Sequence, residues 1–307
     1  MIWKKKGEVK FSDLEIKWAK SHLMCPTPVL VSSDVIRIYL TCLDEFGRGK
    51  VTFIEVSSVN PTRVLYVHPD PILGPGLPGA FDDNGVVVTS VIKTNSNTYF
   101  MYYAGFEICN KIRYRILTGL AISDDAGKSF RRFSTTPVLE RTQGEEFFRC
   151  GAYVFLREGQ FKMWYVGGGS WTKIGEKVLP NYDIKYAESK DGINWPSQGK
   201  TVLPVTEKDE HGFGRPWISH SDLGNYEMFY SIRSISKEAY HLGYAISQNG
   251  KNWERRDAQV GLSTTPNSLA TSAIMYSSLI TVNGRTFCFY NGDNFGEIGF
   301  LISEMIE

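Results

Sequence analysis

A short aromatic stretch ending in tyrosine recurs five times along the 307 residues: Arg37-Ile38-Tyr39, Met101-Tyr102-Tyr103, Met163-Trp164-Tyr165, Met228-Phe229-Tyr230 and Cys288-Phe289-Tyr290. Successive tyrosines stand 64, 62, 65 and 60 residues apart, so five units of about sixty residues account for the whole chain. A fixed period on this scale marks units that bury their apolar faces against neighbouring copies. A second signature follows the tyrosine at matching distance: Gly119-Leu120-Ala121-Ile122-Ser123, then Lys185-Tyr186-Ala187-Glu188-Ser189, then Gly243-Tyr244-Ala245-Ile246-Ser247. Each runs into a turn of the Asp-Gly or Asn-Gly type and out toward an aromatic residue, which is a hairpin signal.

Four antiparallel strands per unit, repeated radially, predict an all-β chain folded as a five-bladed β-propeller, one domain spanning 1–307. The 13% aromatic content and the 29 glycines suit pleated, half-buried strands and many turns. The last unit lacks an outer strand, and Ile2-Trp3-Lys4-Lys5-Lys6 resembles one, so the N-terminal strand is expected to close the last blade. That arrangement hides a sheet edge. Only Phe11 to His22 offers a helical turn or two. Leu73 to Gly79 and Gly167 to Asn181 read as long loops.

Lysine plus arginine total 34 and aspartate plus glutamate 33, a net charge of +1. Such a balance supplies no field for phosphate backbones or anionic lipid, so neither nucleic acid nor membrane is an expected partner. No run of 18 apolar residues exists, and Lys4-Lys5-Lys6 has no apolar stretch of a secretory signal behind it. The five cysteines, Cys25, Cys42, Cys109, Cys150 and Cys288, are scattered and odd in number. They read as reduced thiols, and the expected location is cytoplasmic.

In such a fold the first strand of each unit lines the central channel. The expected first strands are Cys25 to Leu30, Phe81 to Val88, Phe148 to Val154, Gly214 to Ile218 and Thr271 to Tyr276. Polar residues gather at their beginnings. Asp82 and Asp83 are adjacent carboxylates whose mutual repulsion and burial would raise a pKa, which suits acid or base work; a plain turn is the equal alternative. Glu146, beside Glu145, offers a second carboxylate for glycosidic chemistry, which needs two acids about 5–10 Å apart; a solvated loop is the competing reading. Arg149 and Arg215 suit a carboxylate or phosphate clamp, or else structural ion pairs. Trp171, Tyr182 and Asp183 are placed to grip a sugar ring or to pin the loop, and His22 precedes the first strand. Arg233, Asn291 and Asn294 complete the candidate binding set. The histidines show no metal spacing and no cofactor is expected, a channel ion being left open.

Gly79-Ala80-Phe81-Asp82-Asp83-Asn84-Gly85-Val86, the hairpin motifs above, Arg215-Pro216 and Tyr290-Asn291-Gly292-Asp293-Asn294-Phe295-Gly296 carry a resemblance across essentially the whole chain. It resembles the five-bladed propeller glycosidases, the superfamily of arabinanases, xylosidases, invertases and mannoside phosphorylases. More closely, it is similar to bacterial propeller proteins linked to surface-polysaccharide gene sets and to the propeller part of glucosamine inositolphosphorylceramide transferases. The resemblance implies a carbohydrate-active enzyme on a sugar or sugar-phosphate intermediate, with a small carbohydrate as partner and Asp82, Asp83 and Glu146 as the acids. The family's usual first-blade carboxylate has no counterpart in Cys25-Pro26-Thr27, and Thr271-Ser272-Ala273 replaces an acidic stretch in the last unit. A carbohydrate-binding propeller without catalysis is therefore the alternative, and a protein-interaction propeller a third.

Overall fold

The structure, a computed structural model, describes residues 1–95, 97–220, 224–236 and 239–307. It is all-β; among the described residues the only helical pieces are 3-10 turns at Phe11–Asp13, Asp257–Gln259 and Asp293–Gly296. The helix expected before His22 is that first short turn, because His22 itself already belongs to a strand.

After β1 (Trp3–Lys10), the chain makes antiparallel meanders. The first is β2 (Ser21–Ser32), β3 (Val35–Leu43), β4 (Gly49–Ser57) and β5 (Val64–Val67). The second is β6 (Val86–Lys93), β7 (Tyr99–Ile108), β8 (Tyr114–Ser123) and β9 (Arg131–Arg132), and the third β10 (Phe148–Arg157), β11 (Gln160–Ile174), β12 (Lys177–Ser189) and β13 (Lys200–Leu203). The fourth is β14 (Glu210–His220), β15 (Tyr226–Ser234), β16 (Tyr240–Ser247) and β17 (Glu254–Arg255). Finally β18 (Met275–Val282), β19 (Arg285–Asn291) and β20 (Gly299–Met305) take β1 as their fourth strand, with Trp3 opposite Met305 and Lys10 opposite Gly299.

Three expectations fail locally. The strand expected from Thr271 starts only at Met275, because the Asp293 carboxylate holds Thr271 to Ala273 in a loop. Phe81 to Asn84 is a turn, so β6 starts at Val86 and leaves Asp82 and Asp83 outside the strand. Gly167 to Asn181 is no loop: β11 and β12 run on as a paired hairpin to Ile174 and Lys177. Glycine is needed there for closeness, since a Cβ on Gly168 would stand 2.1 Å from the Asn181 carbonyl oxygen.

The repeated motifs have physical reasons. Tyr103 lies opposite Gly119 and Tyr230 opposite Gly243, and a Cβ on either glycine would come within 2.4 Å of the facing ring. The hairpin turns are stapled to the preceding meander. The Tyr39 hydroxyl donates to the Gly127 carbonyl at 2.8 Å, Tyr102 to that of Gly192 at 2.7 Å and the Trp164 indole to that of Gly250 at 2.8 Å. By this contact Tyr39 corresponds to Tyr102 and Trp164, one place earlier than the repeated tyrosine. Such a one-residue offset puts a side chain on the opposite face of its sheet.

Apolar clusters join successive meanders: Tyr39 and Phe53 with Val88 and Tyr103, Tyr102 with Val154 and Tyr165, Trp164 with Met228 and Tyr230, Phe229 and Tyr244 with Cys288 and Tyr290. A fifth joins Ile36, Ile38 and Leu40 of the first meander to Phe287, Phe289 and Ile302 of the last.

Asp44 follows β3 and organises the turn into β4. Burial opposes its charge, but the Arg48 and Phe46 amides and the Lys50 and Arg48 side chains outweigh this and lower its pKa to about 2. A depressed carboxylate pKa stabilises the fold above the unfolded-state value near 3.9 and loses that contribution as pH falls toward 2. Asp44→Asn is expected to cost roughly 2 kcal/mol at pH 7 and less than about 0.5 kcal/mol at pH 2, measured by urea unfolding; an equal deficit at both pH values would contradict this.

Candidate functional site

The first strands of all five meanders border one inner cavity of about 460 Å³, within the roughly 300–1,000 Å³ common for small-ligand sites. His22 and Cys25 come from β2, Val86, Val87 and Thr89 from β6, Phe148, Cys150 and Gly151 from β10, Phe213 to Arg215 from β14 and Tyr276 from β18. A break in strand register re-aims the chain at this level in each case, between Met24 and Thr27, Val88 and Ser90, Cys150 and Tyr153, Gly214 and Trp217, and Met275 and Ser278. Cys25, Gly151, Arg215 and Tyr276 lie within these bulges with left-handed φ values of 52°, 63°, 38° and 56°. For the three with a Cβ this conformation costs on the order of 1 kcal/mol. Bulges and strain of this kind concentrate beside functional sites.

Aromatic rings form much of the wall: Tyr114, Phe148, Tyr182, Tyr240, Tyr276 and Phe295. Burial raises the pKa of Tyr182, Tyr240 and Tyr276, so these phenols stay protonated and can donate. Arg113, Arg215 and Arg233 also border the space, and no aspartate or glutamate does among the described residues. Arg233 donates to the Tyr182 hydroxyl and its guanidinium lies 5.0 Å from the centre of the Tyr240 ring. His22 sits at the edge, its Nδ1 2.7 Å from the Ser21 hydroxyl, and burial lowers its pKa, which keeps the ring neutral at pH 7.

Of the sequence candidates, the structure brings His22, Tyr182, Arg215 and Arg233 to this cavity. Asn294 borders an adjoining recess with Arg233, Tyr240 and Phe295, and bonds to Glu297 at 3.0 Å. The remaining candidates lie elsewhere. Asp82 is buried beneath the turn, where it accepts from the Tyr103 hydroxyl at 3.0 Å and from Arg132 at 2.8 Å. Arg149 lies 2.7 Å from Glu145, which also accepts from the Tyr165 hydroxyl at 2.8 Å. The fourth meander repeats the arrangement, with Asp257 accepting from Tyr230 at 2.6 Å and from Arg255 at 3.0 Å. A buried tyrosine, carboxylate and arginine is thus a recurring strut of the meanders.

Asp83 accepts from the Gly79 amide at 2.9 Å and the Asn84 side chain at 2.8 Å, and Glu146 from the Gly144 amide at 2.8 Å; both hold loops. Trp171 packs on Phe148, ring centres 5.3 Å apart, behind the cavity wall. Asp183 accepts from the Val205 amide at 2.9 Å. It borders a polar recess with Glu210 and His211 that touches Tyr182. Asn291 is buried and ties the last meander to the first: it accepts from the Cys25 amide at 2.8 Å and donates to the Leu23 carbonyl at 2.9 Å. Arg113, Tyr114, Phe148, Tyr240, Tyr276 and Phe295 are among the cavity residues that the sequence candidates omit.

Among the described residues no three His, Cys, Asp or Glu side chains are grouped to hold a metal ion, and no helix is long and apolar enough to cross a membrane. All five cysteines are unpaired.

This fold is shared with glycoside hydrolases of the propeller type. A structure described as a glycoside hydrolase superposes with a TM-score of 0.74 at 18% identity, over 98% of this chain and 90% of the other. A thermostable family-43 glycoside hydrolase gives 0.67 at 15% identity over 93% and 89%. A structure from work on the GH130 family of mannoside phosphorylases gives 0.68 at 13% identity over 93% and 85%. No family model matches the sequence. The chain is 30% identical over 300 residues to the uncharacterized protein Rv1502 of Mycobacterium tuberculosis, covering 98% of each, and it belongs to the same protein family. Protein MT1551 of a second Mycobacterium tuberculosis strain matches to the same extent.

Proposed function

We propose that the five meanders are the blades of one closed propeller spanning residues 1–307, and that its inner cavity binds a carbohydrate without hydrolysing it. The cyclic series of apolar clusters, running from the first meander through the last and back, supports the closed ring. One observation carries the function: a cavity of about 460 Å³ walled by aromatic rings and hydrogen-bond donors, in a glycoside hydrolase fold, with no carboxylate among its described lining residues. Glycosidic hydrolysis ordinarily needs two carboxyl groups flanking the bond. Aromatic faces and donor groups are what binding a hydroxylated ring requires. A role in surface-polysaccharide metabolism in the cytoplasm belongs to the same reading, supported by the sequence resemblance and the unpaired thiols.

Calorimetric titration with a panel of oligosaccharides tests it, with Phe295→Ala as the variant. Phe295 is 42% exposed, so its truncation leaves the fold largely intact. Saturable binding that weakens at least tenfold in the variant, about 1.4 kcal/mol, is expected; a panel without a single binder would overturn the reading.

A second reading keeps catalysis. The recess holding Asp183 and Glu210 favours it, since it meets the cavity at Tyr182 and does supply two carboxylates. Glycoside turnover that Asp183→Asn abolishes would replace binding with hydrolysis.

A further inference from the structure

Arg215 is 3% exposed and forms no ion pair among the described residues. Its Nη1 donates to the Tyr276 carbonyl at 2.7 Å, and its Nη2 to the Pro26 carbonyl at 2.9 Å and the Thr27 hydroxyl at 2.8 Å. The Nε, equally buried, has no partner. A guanidinium keeps its charge even where burial lowers its pKa, as it does here. Buried charges are normally matched by an opposite charge, and an unmet donor on one is costly. Arg215 has only neutral acceptors on two of its nitrogens and nothing on the third.

Its surroundings repeat the imbalance. Arg233, on the same cavity, donates to a phenol and forms no ion pair among the described residues. Exposed Arg113 adds a third positive charge. Glu297, at the rim, is the carboxylate whose charge reaches His22, and it already accepts from Asn294. The inner wall therefore presents guanidinium and protonated phenol groups and lacks carboxylates, so a ligand rich in acceptors and carrying negative charge complements it.

We infer that the ligand of the inner cavity carries an oxyanion, a carboxylate or a phosphate on a sugar, drawn by the charges of Arg215 and Arg233 on the cavity wall. This rests on the carbohydrate-binding reading above. Arg215 sits on a left-handed bulge and bonds to β18 and to β2, so its head is held in place before the ligand arrives. Arg233 supplies a charge from β15 on the facing side of Tyr240. A planar fork held this way suits carboxylate and phosphate geometry.

The test titrates the protein with glucose 1-phosphate, glucuronate, methyl glucoside and inorganic phosphate at fixed ionic strength, and repeats the series on Arg233→Gln and Arg215→Lys after confirming that both melt cooperatively. The two acidic sugars are expected to bind at least tenfold tighter than methyl glucoside. Arg233→Gln should erase most of that preference, weakening the two acidic sugars at least tenfold more than it weakens methyl glucoside. Arg215→Lys keeps the charge and removes the guanidinium fork with its bonds to Tyr276, Pro26 and Thr27, so a preference kept there assigns the effect of Arg215 to its charge, and a reduced one to the fixed geometry of the fork. A larger gain for glucose 1-phosphate identifies phosphate as the group, and a larger gain for glucuronate identifies carboxylate. Methyl glucoside binding as tightly as the acidic sugars would overturn the oxyanion and leave the carbohydrate reading standing. Inorganic phosphate binding lost in Arg233→Gln, with no sugar bound, would keep the oxyanion and overturn the carbohydrate. No binding of any of the four would overturn both.

Discussion

A chain lacking residues 1–10 is expected to be insoluble or to melt at least 10 °C lower than the full chain. β1 covers the outer edge of β20 from Met305 to Gly299, and its loss leaves that edge with open backbone donors and acceptors. Val9, 3% exposed, leaves the cluster that joins the last meander to the first. Trp3 leaves its place 6.3 Å from Phe229, along with its hydrogen bond of 2.7 Å to the Val260 carbonyl, and Lys6 leaves Glu304. Burying each large apolar side chain contributes about 1.5–3 kcal/mol, so Val9 and Trp3 together account for roughly 5 kcal/mol. At roughly 1.5–2 °C for each kcal/mol in a chain of this size, that reaches ~8–10 °C, to which the opened edge of β20 adds. Soluble yield and differential scanning fluorimetry measure the effect. A truncated chain melting within 2 °C of the full one would show that the last meander does not need β1.

Replacing Glu145 by alanine is expected to cost roughly 3–5 kcal/mol, whereas Glu146→Gln should change stability by less than about 1 kcal/mol. The neighbours differ in burial. Glu145 and Arg149 are each 2% exposed and stand 2.7 Å apart, with Lys185 at 3.3 Å from the same carboxylate. Removing the acid leaves a buried guanidinium facing a carboxylate-sized void. Tyr165 loses its acceptor as well. Glu146 accepts one loop amide from Gly144, a bond that glutamine's carbonyl can accept equally. Chemical denaturation of both variants decides it; equal losses would mean that Glu145 and Arg149 do not form the strut described above.

The cadence of tyrosines, the turns and the place of the N-terminal strand were all legible in the sequence, because each depends on residues close together or on a spacing that repeats. Ser189, Asp191 and Gly192 write their turn within four residues: the Asp191 side chain accepts from the Ile193 and Asn194 amides at 2.8 Å. The roles of the acids were not legible. Asp82 is set by Tyr103 and by Arg132, fifty residues away, and nothing local separates a strut from a catalytic carboxylate. The alignment of Tyr39 with Tyr103 slipped by one place for a related reason, since only the bond to Gly127 shows which face the ring takes.

The cavity itself left the fewest marks. Glycine announces a left-handed bulge at Gly151, but Cys25, Arg215 and Tyr276 adopt the same backbone without any compositional sign. Tyr240 and Tyr276 reach the site from different strands and contact each other at 5.6 Å between ring centres, a pairing that no spacing encodes. Gly167, Gly168 and Gly169 suggest a loop, although Gly168 serves the close approach of two strands and Gly169 that of the Gly144 turn.

The pairing of β1 with β20 also orders events on the ribosome. The first strand to be made waits for the last, about 300 residues later, which at 5–20 residues per second is roughly 15–60 s of synthesis. Through that interval the nascent N-terminal segment has no partner strand, and Lys4, Lys5 and Lys6 give it a local positive charge that discourages pairing with other growing chains.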